Sequence, residues 1–317
     1  MLRLAGKKLV ELLVVLFIVS LGTLWLLSKV PGDPAVTRLG PGQPPEAYAA
    51  ERVSLGLDDP FFTRYWHWIS HALTGDLGTS LVPPQTTVGA AISSALPVSV
   101  QLALMGLIIA LVVAVPLAMY SARHAGGWID RAISAGTFAV LSIPSFLAGL
   151  LLILVAVNYL GWFPRSQWVR IGESLPQNLY HAILPAVTIA LLEMAIFTRI
   201  LRSDLVTTLQ ENFIMVARAK GMSNRRILLR DALRPSSFSL ITILGISLGS
   251  MIGSTVIVET LFSLPGMGTL IVRAAQQGDA PMVQGAVLVI ATLYVVINGL
   301  IDLSYGVLDP RSRRAKV

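Results

Sequence analysis

The sequence predicts an all-α integral membrane protein with six transmembrane helices and both termini on the cytoplasmic side. Three observations carry this reading. Of the 317 residues, 54% are hydrophobic and only 13% charged, about half the charged share of an ordinary soluble domain, which is about 25%. Six apolar stretches approach the ~20 residues a bilayer-spanning helix needs: Leu9–Leu27, Leu96–Tyr120, Ile133–Val157, Ile183–Ile200, Phe238–Val258 and Gly285–Leu303. With the termini inside, only Lys29, Arg38, Arg52, Arg64, Arg165, Arg170 and Arg273 of the 24 basic residues fall outside, the asymmetry expected of a membrane topology. Topology thus accounts for the net charge of +7 without nucleic acid. The absence of Cys excludes disulfides, Cys-ligated zinc and thiol chemistry.

Residues 1–30 form the first span. Basic residues precede its apolar run, as in a signal peptide, but the run exceeds the ~7–15 residues of a signal-peptide core and no clean small-x-small site follows. We expect a retained helix. Residues 31–95 make a long extracytoplasmic region. It opens with Pro31-Gly32-Asp33-Pro34, continues through the Pro/Gly stretch 40–45, and contains a short amphipathic aromatic helix, Phe61–Leu73. Trp66 and Trp68 in that helix, with Trp25, Trp162 and Trp168 near outer span ends, suit interfacial anchoring. His67 and His71 have helical metal-ligand spacing. Only the distant Asp76 offers a third ligand, so an interfacial helix is the better reading and no metal site is assigned. His124 and His181 are isolated, and no nucleophile–base pair is evident.

Residues 96–304 hold five spans. Glu193 lies near the middle of the fourth, where a charge costs about 2.5–3.5 kcal/mol on insertion scales. It either lines a substrate path or makes a structural hydrogen bond, with Gln101 and Asn298 as candidate polar neighbours. The fifth span carries Gly245, Gly249 and Gly253 at spacing four, with Ser250 and Ser254 beside them, a smooth face for packing within the chain or against a second membrane subunit.

Between the fourth and fifth spans lies a charged segment, the loop 201–236. Its island, residues 211–234, reads ENFIMVARAKGMSNRRILLRDALR. Asp204–Lys220 is helix-permissive, Gly221 supplies a left-handed helix terminator, and Ser223 is an N-cap for a second helix, Asn224–Leu233. Pro235 ends that helix before the fifth span. The shape is helix, tight turn, helix. DNA reading would have to operate between two membrane spans, so the choice lies between a lipid-headgroup loop and a surface that docks another protein; we favour docking. The segment 259–284, ETLFSLPGMGTLIVRAAQQGDAPMVQ, is too long for a turn and too polar to span. Pro265, Gly266 and Gly268 interrupt it, and irregular backbone at a membrane must be buried in protein or line water. We expect it to fold back over the outer mouth of the bundle. Residues 305–317 form a cytoplasmic tail.

At this point a resemblance becomes specific. Phe213-Ile214-x-x-Ala217-Arg218-Ala219-Lys220-Gly221-Met222, followed by Leu228 and Ala232-Leu233-Arg234, resembles the cytoplasmic-loop signature of ABC-importer permeases, above all the B-type permeases of the dipeptide/oligopeptide/nickel family. Other matching elements follow in family order: Pro31-Gly32-Asp33-Pro34, Gly75-Asp76-Leu77-Gly78-Thr79-Ser80, Ile183-Leu184-Pro185-Ala186, Glu259-x-x-Phe262-Ser263-x-Pro265-Gly266-Met267-Gly268, Gln284-Gly285 and Asp309-Pro310-Arg311. The chain departs from the pattern at Met215, Val216, Asp231 and Pro235-Ser236.

The resemblance implies a type I importer permease in the cell membrane, pairing with a second homologous permease as a heterodimer. Two cytoplasmic ATPases would hold ATP and Mg, and an extracytoplasmic binding protein would deliver short peptides. The chain itself would be non-catalytic and bind no cofactor; it lacks the G-x-x-x-x-G-K-[ST] phosphate loop. The implied ATPase dock is Ala217, Arg218, Ala219, Lys220, Gly221, Met222, Ser223, Arg225, Arg226 and Leu229. The implied outer gate and binding-protein contact is Glu259, Phe262, Pro265, Gly266, Met267, Gly268 and Asp279. Relatives also carry nickel, metal chelates, opine-type metallophores or glutathione, and an ion-coupled secondary transporter is the alternative of a different class.

Overall fold

The computed structural model describes residues 2–164 and 167–308. Arg165, the Asp309-Pro310-Arg311 element and the tail to residue 317 lie outside the described residues, as do the side chains of Arg3, Lys7, Lys8 and Ser250. The described regular structure is helical apart from a single antiparallel bridge, Thr79 to Thr87. Among the described residues, five helices are individually long and apolar enough to span a bilayer, and one bent pair makes a sixth candidate.

The described residues divide into two compact units, residues 2–99 with 265–308, and those within residues 100–264. The first unit contains α1 (Leu2–Leu27), α2 (Pro34–Leu39), α3 (Pro45–Ser54), α4 (Phe61–Leu73), the first turns of α5 (Val88–Arg123), and, C-terminally, α12 (Met267–Gln276) and α13 (Ala280–Leu308). α1 packs along α13. The aromatic helix α4 has the bounds its sequence predicts, and Tyr65 is its buried residue. The Tyr65 hydroxyl meets Ser20 Oγ of α1 at 2.9 Å. The long loop before α4 is folded by local chemistry. Asp33 caps α2 by accepting from the Ala35 N–H at 3.0 Å, the N-cap role that suits a short acidic side chain. Arg52 at the end of α3 donates to both Asp33 and Asp58.

The second unit holds the rest of α5, then α6 (Trp128–Ser142), α7 (Ser145–Leu152) running into a π-helical turn (Ile153–Tyr159), α8 (Leu175–Thr208), α9 (Asn212–Ala219), α10 (Asn224–Arg226), a second π-helical turn (Ile227–Ala232) and α11 (Leu233–Leu261). α8 is its centre, packing against α6, α7 and α11.

Three expectations are corrected here. The stretch Ile133–Val157 is not one straight span: α6 and the helix after it meet at 102°. Pro144 lacks the N–H that would continue the ladder and drives the preceding residue out of the helical region, and Ile143 indeed sits at φ −96°, ψ 123°. The helix expected over Asp204–Lys220 breaks at residues 209–211, where Gln210 and Glu211 donate to carbonyls three residues back, closing a turn. Pro235 does not end a helix. It lies in the first turn of α11, entered directly from the π-helical turn, where Leu233 donates to the carbonyl of Leu228, five residues back. A widened turn of that kind is a known way for a helix to absorb a disturbed hydrogen-bond register.

Candidate functional site at the charged island

The island is anchored from below by apolar side chains. Ile214, Ala217, Ile227 and Ala232 are buried in one core with Ala114, Ala118 and Ala122 of α5 and Phe197, Leu201 and Leu205 of α8. At its base, Ser236 Oγ donates to Thr208 Oγ1 at 2.9 Å, joining the start of α11 to the end of α8. α9 ends as its sequence predicts. Gly221 has φ +75°; its N–H donates to Arg218, and the Met222 N–H to Ala217. This is the Schellman arrangement, completed by the half-buried Met222 packing onto the same core. Ser223 then accepts from the Arg226 N–H at 3.4 Å, capping α10.

The two sides of the island therefore differ in chemistry. Arg218, Ala219, Lys220, Gly221, Ser223, Arg225, Arg226 and Leu229 are exposed, whereas Ala217, expected among the docking residues, is buried with the core. Its small side chain lets α9 lie close on α5 and α8, so its place in the signature is structural. The sequence reading did not single out Phe213 as exposed, nor Met215 and Val216 as surface residues. All three are about half exposed. Behind the charged side, a recess of about 350 Å³ is lined by Arg123, Val206, Gln210, Arg218, Asn224 and Ile227, among others.

The intramembrane polar residues find other partners than expected. Glu193 is buried, and Ser247 of α11 donates to its Oε2 at 2.6 Å. Gln101 instead pairs with the fully buried Asn178, which donates to the Val169 carbonyl at 2.6 Å. Asn298 donates to the Tyr294 carbonyl of its own helix. Glu193 thus joins α8 to α11 through one hydrogen bond. Replacing Glu193 with Gln keeps an acceptor for Ser247 and is expected to leave melting and uptake close to wild type. Glu193→Ala removes the hydrogen bond that joins α8 to α11 and is expected to cost about 1 kcal/mol, read as a lower melting temperature in detergent. Loss of uptake by the Gln variant at unchanged melting would instead place Glu193 on the substrate path.

The segment 259–284 is mostly interior. Glu259, Phe262, Gly266, Met267, Gly268 and Asp279 are buried, and only Pro265 of the seven expected contact residues is exposed. Gly268 is not a breaker; it lies in the first turn of α12. Met267 and Ala274 are buried in a core with Val88, Ile92 and Ala286, and Leu270 and Ile271 pack against it. The Met267 N–H donates to Ser99 Oγ at 2.8 Å. Asp279 accepts from Ser80 Oγ, the Leu81 N–H at 3.1 Å and the Met282 N–H at 3.4 Å. The other residues that face outward, Thr260, Ser263, Arg273 and residues 275–278, were not singled out.

Of the glycine face on α11, Gly245 and Gly249 are buried, whereas Gly253 is exposed and a Cβ there would meet nothing within 4 Å. A close glycine contact in this unit lies elsewhere: a Cβ on Gly149 would come within 2.6 Å of Leu261 Cδ2 and 3.0 Å of Thr188 Cγ2. In the amphipathic helix α4, His71 Nδ1 lies 2.8 Å from the His67 carbonyl of its own helix.

Comparison with known proteins bears on what this architecture does. Residues 114–314 match the family model described as the binding-protein-dependent transport system inner membrane component, and residues 1–103 match the N-terminal part of such a membrane component. A putative peptide transport system permease protein of Brucella abortus (strain 2308) is 34% identical over 307 residues, 97% of this chain and 98% of that protein. The oligopeptide transport system permease protein AppB of Bacillus subtilis (strain 168) is 36% identical over 290 residues, covering 90% of this chain and 91% of AppB. The nickel import system permease protein NikB of Staphylococcus aureus (strain USA300) is 33% identical over 309 residues, covering 96% and 90%.

Proposed function

The chain belongs to the binding-protein-dependent inner-membrane components, the multi-pass permease subunits of ABC importers, and we propose that it passes short peptides across the cell membrane, driven through the island by partner ATPases. One observation carries the second half of this reading. The island's apolar side is fixed into the core of α5 and α8, while Arg218, Lys220, Arg225 and Arg226 stand free on its other side. A surface built this way transmits force rather than absorbing it, because packed interiors are not continuously deformable. ATP with Mg is held by two cytoplasmic ATPase subunits. Their closure moves α9 and α10, and the helices sharing that core follow.

In this reading both termini and the island are cytoplasmic, and a second permease completes the pathway. An extracytoplasmic binding protein delivers the cargo. Peptide is preferred over nickel because the peptide permeases of Brucella and Bacillus, at 34% and 36% identity, stand above the nickel permease at 33%. The test is to purify the tagged chain from its native membrane in mild detergent together with whatever subunits accompany it, reconstitute it in vesicles, and follow ATP-dependent uptake of labelled di- and tripeptides beside radioactive nickel. Co-purification of an ATPase with peptide uptake is expected. Nickel uptake alone would replace peptide as the cargo; uptake without ATP, driven by an ion gradient, would remove the ATPase mechanism.

A further inference from the structure

A buried cluster lies one helical turn from the recess behind the island. Asp130, in the first turn of α6, is 4% exposed. Its carboxylate receives Arg202 Nε and Nη2 of α8, both at 2.6 Å. It also receives Ser121 Oγ, near the end of α5, and the Gly126 N–H of the turn between α5 and α6 at 2.8 Å. Four donors from three elements thus converge on one buried group. The Arg fork is planar and bidentate, the geometry that fixes orientation as well as distance.

The neighbourhood of this cluster suggests more than stability. Next to Ser121 in sequence, Ala122 and Arg123 line the recess that Arg218, Asn224 and Ile227 of the island line from the other side. One turn beyond Arg202, Val206 lines it too. At the far end of α6 stands the Pro144 break, and beyond it α7 packs on α8 and α11 with Gly149 pressed against Leu261 and Thr188. α6 is therefore fastened at its start by Asp130; towards its other end Arg199 of α8 lies 3.9 Å over the Phe138 ring, and the Pro144 break then interrupts its hydrogen-bond ladder.

We propose that Asp130 is a positioning residue for transport: it clamps the start of α6 to α8 and the end of α5, so that motion entering at the island is delivered to the Pro144 hinge. This inference rests on the reading of the island as the ATPase dock. It requires a discrete two-state element, and the bent pair is that element.

The chain contains no Cys, so paired labels can be placed cleanly. Spin labels at Asn212→Cys with Ala139→Cys report across the clamp, and at Ala139→Cys with Leu147→Cys across the hinge. Distances are measured in the complete complex with its second permease and ATPases, with and without trapping by ADP and vanadate. In the otherwise wild-type chain, the 139–147 distance is expected to shift on trapping while the 212–139 distance holds. With Asp130→Asn, the hinge shift is expected to be lost and the 212–139 distance to change. A merely structural role predicts lower yield of complex but unchanged distances in what assembles; that result, or an unmoving hinge in the wild-type background, overturns the proposal. Failure of the dock reading shows separately, as ATPase association that survives replacing Arg225 and Arg226 with Ala.

Discussion

Asp279→Ala is expected to destabilise the protein by about 3 kcal/mol and to lower both its melting temperature in detergent and the yield of folded protein. The residue was expected to be a contact for a delivering partner, yet it is 3% exposed and accepts from Ser80 Oγ and the N–H groups of Leu81 and Met282. Truncation leaves the Leu81 and Met282 N–H groups inside with no acceptor, while the Ser80 hydroxyl keeps the Val82 carbonyl at 3.1 Å, and each buried unsatisfied polar group costs about 1–3 kcal/mol. It also removes the cap of α13, which begins at Ala280, a loss of typically about 1 kcal/mol. These terms overlap, because the Met282 N–H is the group the cap satisfies, so about 3 kcal/mol is the appropriate total. Asp279→Asn keeps an acceptor for Leu81 or Ser80 and should cost distinctly less; Ser80→Ala removes one donor and should cost least. A contact role makes the opposite forecast, with unchanged melting for Asp279→Ala and weakened capture of the binding protein.

The same residue marks where the sequence stops being readable. Asp279 and Ser80 lie 199 positions apart, and no local pattern joins them. The structure explains why their segments travel together: a Cβ on Gly285 would fall 2.5 Å from Val88 Cγ1 and 3.4 Å from Leu77 Cβ, so the turn around Leu77 and the start of α13 press directly on each other. By contrast, α4 was legible to the residue, because its aromatic period and the preceding Pro60 are local signals. The close of α9 at Gly221 and the cap at Ser223 were legible for the same reason.

Pro144 is a local signal of the break, but a reading by apolarity alone passes over it. Apolarity measures whether a segment is long enough to cross, and says nothing about a missing N–H. The interior character of the segment 259–284 was also within reach. Met267, Leu270, Ile271 and Ala274 recur at i, i+3, i+4 and i+7, the stripe of an amphipathic helix, but the Pro and Gly residues ahead of them drew the segment towards a loop. The turn at residues 209–211 had no sequence signal. Those residues are helix-permissive, and the chain turns because Leu205 and Ile214 both reach the same core, a tertiary reason that overrides propensity.

Gly221 supports the prediction with the largest expected functional effect. It holds φ +75°, and an added Cβ would meet no atom within 4 Å. Substitution there isolates backbone strain from steric crowding. The left-handed conformation costs an L-residue about 1–2 kcal/mol, Asn tolerates it best, and a β-branched side chain tolerates it worst. The expected order is therefore Asn close to wild type, Ala reduced several-fold, and Val reduced about tenfold or more, since ~1.4 kcal/mol corresponds to tenfold in an equilibrium. The quantity to measure is ATP-dependent uptake per assembled complex, with ATPase association recorded beside it. Strain in this turn displaces Ser223 and with it the cap that starts α10, so Arg225 and Arg226 lose their placement while Ile214 and Ile227 keep the island attached. Assembly of the membrane part should therefore survive in all three variants. An order that follows side-chain size instead, with Asn worse than Ala, would mean that this surface is already filled by a partner lying against Gly221, and the turn's role would then be contact rather than geometry.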